Sequence, residues 1–128
     1  MHSLTTFIWS GTLKTQSAKA KGRRLQQWCR DQILETFEEL TDDDVRSTSM
    51  GAGGVDVTLS QEAKKLFPFS VECKSQERVR IWESFGQAED NTEPDMEPLL
   101  IIKRNGSAPL AVVDAEWLLE NIRKLGSK

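Results

Sequence analysis

Apolar residues occupy every second position in two short stretches, Val55-Asp56-Val57-Thr58-Leu59-Ser60 and Phe69-Ser70-Val71-Glu72-Cys73-Lys74. A period of two marks a strand with one buried face, because successive side chains of an extended chain point to opposite sides. Val55, Val57, Leu59, Phe69, Val71 and Cys73 are thereby assigned to the inner face, and Asp56, Glu72 and Lys74 to the outer one. An antiparallel hairpin with Ser60 opposite Pro68 sets Asp56 across from Glu72, with Cβ atoms roughly 5 Å apart.

The rest of the chain switches to helical and turn patterns around these strands. Leu25, Cys29, Ile33, Phe37 and Leu40 recur at helical spacing, with Trp28 beside them, and predict an amphipathic helix from about Ala18 to Leu40 that Asp42-Asp43-Asp44 ends. Val45-Arg46-Ser47 reads as a short edge strand, and Ser47 to Gly54 as a flexible turn cluster. Gln61 to Phe67 joins the two alternating strands as a loop. Ile81, Trp82, Phe85 and Ala88 predict a helix from about Val79 to Asn91. Leu99 to Ile102 is a buried strand, and Leu110 to Val113 is its partner across Lys103-Arg104-Asn105-Gly106. Asp114 caps a last helix, with Trp117, Leu118, Ile122 and Leu125 inward. Trp28, Trp82 and Trp117 each fall on a helical apolar stripe and are assigned to the core. Residues 1–17 lack a period and read as an arm or short strand, which leaves 18–128 as one domain. The order α, β, ββ, α, ββ, α places the chain in the α/β class.

At 128 residues, 38% hydrophobic and 29% charged, the chain suits one soluble domain. It has no apolar run near the roughly 20 residues that span a bilayer, and its opening lacks the pattern of a secretory signal. The expectation is an intracellular, cytoplasmic protein with no membrane partner. Cys29 and Cys73 suit reduced, packed thiols, and a single histidine, His2, argues against zinc of the Cys/His type. The net charge of −3 is uneven: Lys14, Lys19, Lys21, Arg23, Arg24 and Arg30 stand in the first thirty residues with no acid among them. Such a segment suits phosphate contacts, and a solubilising surface accounts for it equally well.

Two carboxylates as close as Asp56 and Glu72 repel each other, and a hard divalent cation such as Mg²⁺ relieves the repulsion. Lys74 beside them could orient or deprotonate a water, which together is the makeup of a metal-dependent phosphodiesterase. Ordinary charges on two solvated strand faces would give the same spacing. The chain also holds a second Glu-x-Lys, Glu62-Ala63-Lys64, in the expected loop, where it cannot face Asp56 from a paired strand.

The order of helix, turn, acid-bearing strand, Glu-x-Lys strand and helix resembles the PD-(D/E)XK nuclease superfamily, in its small, phage-type, Holliday-junction-resolvase-like branch. The resemblance covers roughly residues 19 to 124. It rests on Lys21-Gly22-Arg23-Arg24-Leu25-Gln26, on the stretch from Arg46 to Val57, on Phe67-Pro68-Phe69-Ser70-Val71-Glu72-Cys73-Lys74, and on Trp82 followed by Gln87-Ala88. It implies a restriction-endonuclease-like core, a central mixed β-sheet of about five strands flanked by helices. It further implies Mg²⁺, with Mn²⁺ substituting, held by Asp56, Glu72 and the Cys73 backbone carbonyl, while Lys74 positions or activates water. Gln26 falls where archaeal-type junction resolvases carry a glutamate, so the charge of the metal site is one lower and two-metal chemistry is in question. Gln87 is expected against the active site. Lys19, Lys21, Arg23, Arg24, Arg46, Ser49, Gly51 and Gly53 are expected to contact DNA. The implied activity is a Mg²⁺-dependent endodeoxyribonuclease acting on four-way or other branched DNA as a homodimer, in the host cytoplasm if phage-encoded. A nuclease of the same fold acting on flap, single-stranded or mismatched DNA, or a non-catalytic DNA-binding module, carries the same residues, and a plain protein-interaction domain is the remaining reading.

Overall fold

The computed structural model describes residues 10–48 and 54–126, with side chains from residue 18 onward. The element order is α1 (Ser10–Thr36), β1 (Val45–Ser47), β2 (Val57–Leu59), α2 (Gln61–Leu66), β3 (Phe69–Ser75), α3 (Ile81–Asp90), β4 (Glu97–Lys103), β5 (Leu110–Val112) and α4 (Ala115–Leu125). The chain is thus mixed α/β, as its periodicities predict. Among the described residues no helix is long and apolar enough to cross a membrane.

The strands do not form one sheet of five. β1 and β2 make a two-stranded antiparallel ladder with Arg46 opposite Thr58, and β3, β4 and β5 make a separate mixed sheet in that order. β3 runs parallel to β4, with Glu72 beside Leu100, and β4 runs antiparallel to β5. The hairpin expected from Ser60 opposite Pro68 is also absent. Ser60 instead caps α2, its hydroxyl accepting from Ala63 N–H at 3.1 Å, so the connection coils into a short helix and turns β2 away from β3. β2 meets β3 at its entry only, where Asp56 N–H donates to the Val71 carbonyl at 2.9 Å. Glu62-Ala63-Lys64 lies on α2, where Lys64 pairs with Glu93 at 3.3 Å.

Helices cover both faces of the central sheet. The α1 stripe of Leu25, Cys29 and Ile33 is buried with Val45, Val57, Val71, Leu99 and Ile101 in one apolar cluster. α1 begins at Ser10 rather than Ala18 and ends at Thr36 rather than Leu40, so part of the expected arm is helix. On the opposite face α3 packs against β3 and β4 and buries Ser84 and Ala88. α4 starts where expected: the Asp114 carboxylate accepts from Trp117 N–H at 2.8 Å. Phe37, Phe67, Phe69 and Trp117 form an aromatic row that joins α1 to α4, with centroid separations of 6.5, 5.1 and 5.2 Å. Outward of Trp117, α4 leaves Ile122 and Leu125 exposed rather than inward.

Two tryptophans depart from the core assignment. Trp82 is 88% exposed at the start of α3, and Trp28 is 40% exposed on α1. A hydrophobic period locates a helix but leaves the sheet to choose the face, and here Ile81, Ser84, Phe85 and Ala88 turn inward. Cys29 and Cys73 are free thiols with sulfurs 3.7 Å apart.

Leu100, fully buried in the middle strand of the sheet, tests this layering. Leu100→Ala is expected to lower unfolding free energy by about 3 kcal/mol in a urea titration, the usual cost of an aliphatic truncation in a packed core.

Candidate active site at the free edge of the central sheet

The geometry of β3 decides what its outer edge presents. The Pro68 carbonyl accepts from Glu97 N–H and Gln76 N–H donates to the Lys103 carbonyl, so even-numbered residues bond across to β4. The N–H and C=O of a strand residue share one edge, so Val71 and Cys73 aim theirs at the opposite, free edge. Asp56 occupies that edge. Its N–H binds Val71 and its carboxylate accepts from Cys73 N–H at 2.6 Å. The same rule sends the Cys73 carbonyl out beside Asp56.

Even-numbered side chains of β3 point toward α3, which brings in Glu72 and Lys74. Glu72 is 9% exposed, and its carboxylate lies 3.8 Å from the Lys74 ammonium. The strand face assigned from the sequence as the outer one is therefore covered by α3. Asn91, at the end of α3, hydrogen-bonds to Glu72, and the adjoining Glu93 N–H donates to Ser70 Oγ at 3.1 Å. Gln26, 5% exposed on α1, hydrogen-bonds to Asp56, yet its side-chain carbonyl is buried without a partner. An acceptor orphaned beside a carboxylate is costly unless a cation or a water completes it.

Burial raises the pKa of Asp56; the bond from Cys73 N–H, the charge of Lys74 and the contact with Gln26 work against that. Glu72 is raised first by burial and next by the neighbouring Asp56 charge, with Lys74 and Asn91 opposing. The Cys73 thiol is pushed far up by its contact with Cys29 and by burial, so its side chain stays protonated while its backbone serves the edge.

Five of the expected residues are thus in one place: Asp56, Glu72, Lys74, Gln26 and the Cys73 backbone. Their pairing arises through a side chain reaching a strand edge rather than through the expected hairpin. Gln87 is not among them. It lies exposed on α3, and Asn91, one turn later, takes the position against Glu72. Arg46 is exposed and paired with Asp43 at 3.0 Å. Lys19, Arg23 and Arg24 are exposed on α1 and Lys21 is half-buried there. Ser49, Gly51 and Gly53 lie outside the described residues. The sequence reading missed Asn91, because an asparagine at the end of a helix reads as a terminator. It also missed Lys103 and Asn105, which sit in what reads as a plain hairpin turn.

The residues present suit a hard, oxygen-liganded cation. Among the described residues no three His, Cys, Asp or Glu side chains converge. Asp56 and Glu72 would supply the charge, and the Cys73 carbonyl and the unpartnered Gln26 oxygen would complete the set with neutral donors. No family model, curated protein or solved structure matches the chain.

Because the folded state raises both carboxyl pKa values, it holds their protons more tightly than the unfolded chain does. Their contribution is most favourable below the ordinary carboxylate range and is lost as pH climbs through the raised values. Asp56→Asn keeps an acceptor for Cys73 N–H and removes the buried charge. In EDTA the variant is expected to match wild type near pH 4 and to melt roughly 2–4 °C higher at pH 7.5. Thermal denaturation followed by circular dichroism across that range reads the difference, and an Asp56→Asn curve below wild type at pH 7.5 would contradict the burial argument.

Proposed function

We propose that the chain is a Mg²⁺-dependent endonuclease of the PD-(D/E)XK type that hydrolyses phosphodiesters in branched DNA, with Mn²⁺ able to substitute. In this reading the central sheet and its helices are a reduced restriction-endonuclease-like core, and two copies act as a homodimer on the two strands of a junction. One observation carries the proposal: the half-buried Asp56 and buried Glu72 carboxylates, the Lys74 ammonium and the unpartnered Gln26 oxygen converge on one strand edge. A cluster of raised carboxyl pKa values beside a lysine is costly in a merely structural role and is typical of a working site.

A divalent ion bound here supplies Lewis-acid activation of the phosphate and a more acidic water. Asp56, pinned by Cys73 N–H, holds its carboxylate in one orientation before any ligand arrives. Glu72 is steadied from two sides, by Lys74 and by Asn91. Lys74 stands 3.8 Å from the Glu72 carboxylate, the cation of a close pair at this edge. Its role is therefore to orient the attacking water and to stabilise charge growing on the phosphate, rather than to act as a free base.

The decisive measurement is incubation with a labelled four-way junction, with Mg²⁺ or with EDTA. Cleavage is expected for wild type in Mg²⁺, absent in EDTA, and lowered at least about 10³-fold in Asp56→Asn while junction binding persists. Linear duplex and flap substrates run alongside separate a junction enzyme from a broader nickase of the same fold. Binding without metal-dependent cutting would instead favour a non-catalytic DNA-binding module.

Gln26→Glu tests the donor set without turnover. A third carboxylate is expected to lower the melting temperature in EDTA and to tighten Mg²⁺ binding about tenfold, as read by calorimetric titration. Unchanged Mg²⁺ affinity would remove Gln26 from the metal's surroundings.

A further inference from the structure

Past the acidic edge a second recess opens where the C-terminal ends of β3 and β4 meet α1. It has a volume of about 300 Å³ and is walled by Lys21, Arg24 and Trp28 of α1 together with Ser75, Lys103 and Asn105. Lys21, Arg24 and Trp28 stand at positions i, i+3 and i+7, so two cations and an indole line one side of the helix over about 10 Å. Ser75 directly follows Lys74, which sets the recess roughly 10 Å along β3 from Glu72.

The chemistry of its wall is specific. Among the described residues Lys21, Arg24 and Lys103 have no carboxylate partner, as is also true of Lys19, Arg23, Arg78, Arg104 and Lys124, whereas Arg30, Arg46, Lys64, Lys65 and Arg80 are each paired with one; the Lys103 ammonium donates to the Arg104 carbonyl at 3.2 Å. The Glu77 carboxylate accepts from Asn105 N–H at 2.7 Å, a bond that also fixes the turn carrying Asn105. Trp28 is half-exposed here although its neighbours Leu25 and Cys29 are buried. Unpaired cations around an accessible indole suit an anionic ligand with a flat aromatic part.

We infer that this recess holds one unpaired nucleotide of the bound DNA, its base stacked on Trp28 and its flanking phosphates held by Lys21, Arg24 and Lys103. The inference rests on the DNA reading above for its ligand, but it concerns binding and needs no cleavage. A nucleotide splayed from the stack near the cut would let the protein favour branch points and single-stranded ends, where bases are already unpaired, over intact duplex.

The test uses the full chain in EDTA with two fluorescent oligonucleotides of equal length, oligo(dT) and the same backbone with abasic sites throughout. Anisotropy titration of wild type is expected to show oligo(dT) bound about tenfold more tightly, the contribution of a base-aromatic stack. Trp28→Leu, which keeps an apolar side chain on α1, is expected to abolish that preference, and Trp28→Phe to retain most of it. Lys103→Ala is expected to weaken both ligands by the same factor of about 3 to 10, a phosphate effect indifferent to the base. A wild type blind to the missing bases, or a Trp28→Leu variant that keeps the preference, overturns the inference. Should Trp28→Leu fail to fold, the wild-type comparison and Lys103→Ala decide the question alone. A protein that binds a four-way junction yet shows no base preference loses only the recess; one that binds no DNA at low salt loses the nuclease reading as well.

Discussion

The candidate site depends on one residue fastening one strand edge. Asp56 uses its backbone N–H on Val71 and its carboxylate on Cys73 N–H, and so satisfies two polar groups of β3 that no neighbouring strand reaches. An unpaired edge at this position would leave those groups without partners close to the core. The sheet thereby ends on a charged side chain, and that side chain is held where Glu72 and Lys74 emerge. Gly54, with φ of +90°, permits the turn by which the chain enters this position.

The cost of the arrangement is electrostatic. Two carboxylates are withdrawn from water, and Glu72 feels the charge of Asp56 in addition to its burial. A single lysine, the two amides of Gln26 and Asn91 and one backbone N–H offset only part of this, since both pKa values remain raised. A fold selected for stability alone would have no reason to keep an acidic pair and an unpartnered amide oxygen at one edge. The imbalance makes functional sense if a cation restores it.

The parts of this structure that repeat in the sequence were legible, and the parts set by tertiary pairing were not. Period-two runs located β2 and β3, and the four-residue spacing of Leu25, Cys29 and Ile33 located the buried stripe of α1. Asp114 marked the start of α4 because a cap is a local hydrogen bond. The strand partners could not be read in the same way. β3 joins β4 in parallel through α3, and nothing in the alternation of Phe69 to Lys74 distinguishes that from a hairpin with β2. Glu72 looked solvated because its pattern is that of a half-exposed strand; only the packing of α3 shows that both faces are covered. Asp56 and Glu72 were brought together for a reason the register argument did not contain, a carboxylate capping a strand edge. Trp28 and Trp82 were misplaced because a helical period gives the existence of a face and not its exact width.

Charge distribution links the acidic edge to the basic recess. Most of the chain is acidic: outside the first thirty residues, acids outnumber bases and the net charge of the whole is −3. Many cations on that body are neutralised locally, as Arg46 is by Asp43 and Arg80 by Glu83. Lys21, Arg24 and Lys103 are among the cations left without a carboxylate partner, and they gather around one recess at one end of the sheet. An anionic polymer is repelled by the acidic surface and attracted at this end, so the field orients it before contact. On the proposed DNA reading, a phosphate backbone approaching from there would pass the recess first and then Lys74, which lies beside Glu72. A uniformly basic protein would bind DNA in many poses; an acidic one with a confined basic end holds it in few, at the expense of affinity that falls steeply with added salt.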